Sequence, residues 1–221
     1  MKALAFSGGK DSMVCLHLVP VDLAIYVDTG YAYPETLELV EYAKTITKVH
    51  VVQSNRKAQN DTFGIPSDVV PVNWTYYGQR MTSPKPVMVQ SYFDCCYSNI
   101  VRPLWDEAKK LGVTEMVFGE RSSEGHKSIS NDGDFVEGIK RLHPIEGWTE
   151  TQVLTYLARK MKIPEHYYTV KHSSLDCFDC VAFKSDSADR VEWTKKHPEF
   201  YRAYSERLTA LDGALKEGLN V

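Results

Sequence analysis

Short apolar blocks alternate with helix-spaced apolar stripes along this chain. Ala3 to Phe6 forms the first block and Asp22 to Asp28 the second. Each is an apolar run of strand length. Between them a helix opens near Asp11 or Ser12 and reaches about Leu18. Pro34 suits the first turn of a second helix, running to about Ile46. Its Leu39, Val40, Ala43 and Ile46 form a stripe that Leu37 widens. Lys48 to Gln53 predicts a third strand, Glu115 to Gly119 a fourth and Ile139 to Ile145 the last. Strands alternating with helices predict an α/β fold, a doubly wound, mostly parallel sheet with helices on both faces.

The later pattern is helical. Cys95 to Leu111 predicts a helix with Ile100, Leu104, Ala108 and Leu111 on one face. Pro103 either kinks that helix or marks its start. Glu120 to Phe135 is polar and predicts a loop. Thr149-Glu150-Thr151-Gln152 reads as a capping box for a helix to about Met161, stopped by Pro164. Two further helices are predicted at Asp186–Lys196 and Pro198–Lys216. Residues 1–221 are thus expected to form one domain, with 186–221 as a helical C-terminal extension. Ser54 to Val89 fits least well. It holds four prolines, Trp74, Tyr76, Tyr77 and the cations Arg56, Lys57, Arg80 and Lys85. A substrate-covering lid and a variable surface insertion both fit such a segment.

Composition narrows the classes. At 221 residues, 43% hydrophobic and 25% charged, the chain is ordinary for a globular protein. A net charge of −3 gives no sign of nucleic-acid binding through bulk charge. No run approaches the ~20 apolar residues of a membrane span. The N-terminus leads directly into a core strand, so no signal peptide is expected and the cytoplasm is the expected location. Five cysteines in a reducing compartment suggest metal binding before disulfides.

The first candidate chemistry lies between the first strand and helix. Gly8 and Gly9 allow close backbone approach, and the helix directs its free N–H groups and positive dipole end at the turn. Ser7, Ser12 and Lys10 add two hydroxyls and a cation. Together they suit pyrophosphate or terminal phosphate oxygens. The Walker spacing is absent. Ser7 to Ser12, SGGKDS, resembles the signature of the PP-loop family, the adenine-nucleotide α-hydrolases. The resemblance implies ATP cleavage between the α and β phosphates. Gly8, Gly9 and the helix start would bind phosphates, Lys10 would neutralise the leaving pyrophosphate, and Mg²⁺ would lie near Asp11 or Asp28.

The second signature is Cys95-Cys96, eighty intervening residues, then Cys177-Phe178-Asp179-Cys180. Four thiolates suit Zn²⁺ or an iron–sulfur cluster. Adjacent cysteines are awkward ligands for one tetrahedral Zn²⁺. This spacing resembles the 4Fe–4S motif of bacterial and plant APS reductases. Cys15, on the first helix, reads as a small buried hydrophobe.

The likeness to the PAPS and APS reductase branch extends further. Val27 to Thr36, VDTGYAYPET, is similar to the region after the second strand in those enzymes and in sulfate adenylyltransferase. It implies nucleotide contacts by Asp28 and Thr29, with Asp28 on Mg²⁺ or the ribose. Gly119 to Ser128, GERSSEGHKS, resembles their strand–arginine loop. There Gly119 would adjoin the nucleotide, and Arg121 with His126 or Lys127 would face phosphate or sulfate oxygens. Those reductases use a cysteine near the C-terminus, and this sequence has none after Cys180. The expectation is therefore an ATP-dependent adenylating enzyme with a 4Fe–4S cluster, acting in sulfur transfer. An APS or PAPS reductase using an external thiol is one alternative. A non-catalytic nucleotide-binding iron–sulfur subunit is another. Expected partners are an adenine nucleotide, a sulfur donor or thiol protein and a second copy in a homodimer, with a nucleic-acid acceptor open.

Overall fold

The computed structural model describes residues 1–82, 86–124, 130–171, 174–182 and 188–219. His126 and Lys127 lie outside the described residues. The strands are β1 (Lys2–Ala5), β2 (Leu23–Asp28), β3 (Val49–Gln53), β4 (Ile65–Ser67), β5 (Val89–Ser91), β6 (Glu115–Val117), β7 (Phe135–Val136) and β8 (Ile139–Leu142). The α-helices are α1 (Lys10–Leu18), α2 (Pro34–Lys44), α3 (Arg56–Phe63), α4 (Tyr76–Met81), α5 (Tyr92–Cys96), α6 (Arg102–Lys110), α7 (Glu150–Leu157), α8 (His166–Thr169), α9 (Ala188–Thr194) and α10 (Pro198–Leu219). Among the described residues no helix is long and apolar enough to cross a membrane.

The chain divides into two compact units. The first comprises Met1–Asp28, Ala32–Gln53 and Pro103–Asp176. Its sheet has the order β3-β2-β1-β6-β8-β7, parallel except for the β7–β8 hairpin. Leu4, Ala24, Tyr26 and Val117 from the strands pack with Met13, Val14 and Leu16 of α1, Leu39 and Val40 of α2, and Val153 and Leu157 of α7. The parallel α/β architecture follows the expected pattern. Two differences have local causes. The last long strand ends at Leu142 because Pro144, two residues on, has no N–H for a ladder. The expected loop gives way at Phe135 to β7, which Glu137 and Gly138, both at positive φ, turn back into β8. That is the backbone hand of a tight two-residue hairpin.

The second unit comprises Thr29–Tyr31, Ser54–Arg102 and Cys177–Val221. The segment 54–89 supplies much of it. Trp74 is buried with Val89, Val181, Tyr204, Leu211 and Ala214, so α10 packs onto this segment. A methyl at Gly218 would lie 2.7 Å from the Trp74 ring, so only glycine allows this approach. Tyr76 and Tyr77 are exposed. The predicted helix over 95–111 is three pieces: α5, a π-helical stretch Tyr97–Val101, and α6. The wide turn lies just before Pro103, which cannot donate to an earlier carbonyl.

Thr149 caps α7: Gln152 N–H donates to its hydroxyl at 3.3 Å, and Thr149 N–H donates to Gln152 Oε1 at 2.8 Å. Replacing Thr149 with Ala should lower stability by ~1 kcal/mol in denaturant titrations. An unchanged midpoint would contradict the cap. His166 is buried, and its pKa is lowered to about 4 by burial, partly offset by Glu35 and reinforced by Lys10. The folded value lies below the unfolded value of 6.5, so the unfolded chain binds more protons between them. This contribution to stability is complete above about pH 6.5 and is lost as pH falls towards about 4. Denaturant titrations at several pH values should show a shallower acid loss for His166→Gln than for the parent. Equal slopes would contradict the assignment.

Candidate active site

The loop that β1 feeds into α1 is built from short-range contacts. Gly8 has φ +73°, and an added methyl would lie 3.1 Å from Thr36 Cγ2. Both facts favour glycine. Ser12 Oγ donates to Gly9 O at 3.0 Å, and Ser7 Oγ donates to Ser12 Oγ at 3.2 Å. Gly9 N–H donates to Ser7 Oγ at 3.3 Å. The loop is also held from outside. Tyr167 Oη donates to Gly8 O at 2.7 Å, and Ser174 Oγ donates to Ser7 O at 3.2 Å. The helix begins one residue earlier than expected, at Lys10, with Gly9 as the cap residue and no side-chain cap bond. The first turn of a helix leaves backbone donors without intrahelical partners, so this end suits an anion.

Lys10 is 2% exposed, a rare burial for a lysine. Its Nζ lies 2.5 Å from Glu150 Oε1 and donates to Lys171 O at 3.4 Å. Glu150 follows the capping threonine, so the α7 cap aims the carboxylate at Lys10. The bond to Lys10 holds the Glu150 carboxyl below its usual range; burial opposes this, and the Lys10 and Arg121 charges reinforce it. The Glu150 side chain is 56% exposed, so an incoming anion could displace it at small desolvation cost.

Asp11 and Arg121 form a buried pair, Nε to Oδ1 at 2.5 Å and Nη2 to Oδ2 at 3.4 Å. Arg121 also donates to Ser123 Oγ at 3.0 Å. Gly119 packs against the same turn: an added methyl would lie 2.6 Å from the Asp11 carbonyl carbon. Asp28 stands at the carboxyl end of β2 and accepts from Gln53 Nε2 at 3.1 Å. Ligands of open parallel sheets bind beyond that end of the strands. Ser7, Gly8, Gly9, Lys10, Asp11, Ser12, Asp28, Gly119 and Arg121 therefore all belong to the first unit. Thr29 does not. It belongs to the second, where its hydroxyl lies 3.7 Å from Cys177 Sγ. Cys15 is buried and its thiol is pushed up to about 12, first by burial and then by Asp11, which makes it inert.

The second unit gathers the other four cysteines, none in a disulfide. Cys95 is buried, and Asn60 and Asn99 donate to its sulfur at 3.5 and 3.7 Å. Cys177 has φ +58°, and Cys180 N–H donates to Cys177 O at 2.9 Å, closing the turn. Cys96 is pushed up to about 12 by burial first and then by Cys180 and Cys95, against a downward pull from Arg56 and Arg190. Arg56 bonds Asp179 inside that turn at 2.7 Å, and Arg207 bonds its other oxygen at 2.9 Å. Among the described residues no three Cys, His, Asp or Glu side chains gather closely enough to hold one metal ion.

The sequence reading passed over Tyr167 and Arg207 and gave Glu150, Arg56 and Asp179 no part in a site. Only the capping motif before Glu150 carried any local signal.

The chain is similar to several known proteins. It is 30% identical over 188 residues to sulfate adenylyltransferase subunit 2 of Mycolicibacterium vanbaalenii, covering 75% of this chain and 57% of that protein. It is 23% identical to adenosine 5'-phosphosulfate reductase of Streptomyces coelicolor, covering 71% and 60%. An uncharacterised protein of Methanocaldococcus jannaschii is 24% identical over 98% of this chain and 44% of its own length. The chain thus spans about half the length of the curated relatives it matches. The crystal structure of a phosphoadenylyl-sulfate reductase from Candida auris, in a phosphate complex, aligns with a TM-score of 0.49 and 18% identity over 76% of each chain. The phosphoadenosine phosphosulfate reductase domain model matches residues 2–183, most of the sequence, and the chain belongs to that family.

Proposed function

We propose that this chain is a nucleotide-cleaving enzyme of sulfur metabolism that splits ATP between its α and β phosphates and adenylates an acceptor. The observation that carries this reading is the buried Lys10 at the open end of α1, with a half-exposed Glu150 as its counterion. Phosphate oxygens would replace the Glu150 carboxylate on Lys10 and take the N–H groups of the first helical turn. Charge developing on the departing pyrophosphate would then be met by a cation already in place. Asp11 is engaged by Arg121, so Arg121 would act by fixing the first turn of α1. Asp28 would serve the nucleotide's Mg²⁺, since it stands at the carboxyl end of β2, where open parallel sheets bind ligands.

We propose further that Cys95, Cys96, Cys177 and Cys180 hold a 4Fe–4S cluster. The donor chemistry supports this: the four thiols lie outside any disulfide, and amide donors on Cys95, a hydroxyl beside Cys177 and a buried guanidinium form a surround for anionic sulfur. Bound there, a cluster supplies electron transfer or a sulfur-carrying site. The subunit designation of the adenylyltransferase relatives supports a partner chain.

A second reading is an APS or PAPS reductase whose thiol comes from another protein. It is favoured by the family match and by the likeness to the Streptomyces enzyme.

Lys10→Ala should cut pyrophosphate release from Mg·ATP at least ~100-fold while the circular dichroism stays unchanged. Undiminished release would refute the assignment of Lys10. Gly119→Ala should weaken ATP binding, measured calorimetrically, because its methyl must displace the Asp11 backbone. Unchanged binding would contradict the coupling of Gly119 to the loop.

A further inference from the structure

The guanidinium of Arg56 is only partly used by the contacts around it. Arg56 is 2% exposed, at the first position of α3. Nη1 holds Asp179 at 2.7 Å, and the guanidinium lies over the Tyr31 ring, 4.3 Å from its centroid. Its Nε and Nη2 are buried and have no hydrogen-bond partner among the described residues. Buried donors of a charged group are costly to leave unsatisfied.

Arg56 is paired with Asp179 of the Cys177–Cys180 turn, and Cys177, Asp179 and Cys95 favour its charge against the cost of burial. Asp179 lies between Cys177 and Cys180 in sequence, so the ion pair fixes the turn that presents them. Arg207 holds the second Asp179 oxygen and also donates to Asn60, whose amide reaches Cys95. One polar network thus ties the Cys177–Cys180 turn to the Cys95 helix.

We propose that Arg56 is the positioning residue of the cysteine quartet and donates from its unused Nε and Nη2 to the anionic sulfur of the group held there. The inference rests on the cluster reading given above. It assigns the planar fork two tasks that a lysine cannot combine: a directed bond to the carboxylate of the turn, and donors to sulfur on its other edge. Hydrogen bonds and positive charge at the sulfurs raise a cluster's potential and slow its loss.

The test uses the full chain purified without oxygen. Iron and acid-labile sulfide are counted first, and absence of both from the parent protein overturns the cluster reading and this inference with it. With the cluster present, Arg56→Gln, Arg56→Lys and the control Lys57→Gln are compared by redox titration and by iron release to a chelator. Lys57 is the exposed neighbouring cation. Arg56→Gln should have a more negative potential and release iron roughly 10- to 100-fold faster, the range for lost outer-shell partners. Arg56→Lys keeps the charge and should hold its potential closer to the parent while still releasing iron faster. Lys57→Gln should match the parent. Parental potential and release in Arg56→Gln would overturn the inference. If circular dichroism shows that variant unfolded, Arg56→Lys decides, and a parental release rate there overturns it.

Discussion

A lysine ammonium cannot remain charged in a protein interior without a partner, and Lys10 is almost wholly enclosed. That constraint organises the first unit. The charge is held where β1 becomes α1, the point at which a parallel sheet exposes backbone donors to a ligand. Glu150 answers it from the first turn of α7, and the Thr149–Gln152 cap sets that turn. Tyr167 and Ser174 tether the two carbonyls that precede it. The loop proposed to bind the anion is therefore held in place in advance, and its counterion Glu150 is the part most open to solvent.

The second unit answers a different electrostatic problem. Buried thiols resist ionisation, as Cys96 shows, raised first by burial and then by Cys180 and Cys95. Binding them as thiolates needs positive charge and donors already in place. Arg56, Arg207, Asn60 and Asn99 supply both, and Asp179 distributes them around the turn. The segment 54–89, irregular as sequence, is what makes this possible. It brings in Arg56 and Asn60 on α3 and buries Trp74 beneath α10.

What the sequence disclosed follows from the range of the interactions involved. The β1–loop–α1 unit was legible because its signals are local: an apolar run, two glycines and a helix start within about ten residues. The two cysteine pairs stood out by spacing, and both fall in the second unit. The Thr149–Gln152 cap was legible because both partners lie in one turn. Arg56 and Asp179 are 123 residues apart, and Lys10 and Glu150 meet only after the sheet forms. Nothing in the local sequence marks either pair. The α3 helix was missed because it is polar almost throughout, RKAQNDTF, and offers no stripe to read. Thr29 sits one residue beyond Asp28, yet the chain changes units between them. Sequence proximity carried no sign that the Thr29 hydroxyl would lie beside Cys177.

The central claim is that the loop cleaves ATP. The most direct measurement incubates oxygen-free protein, with Mg²⁺ and a dithiol, separately with ATP, APS and PAPS, and assays pyrophosphate and sulfite in each. The account predicts pyrophosphate and AMP from ATP, with no sulfite from the other two. Sulfite from APS or PAPS, with ATP left intact, would contradict it.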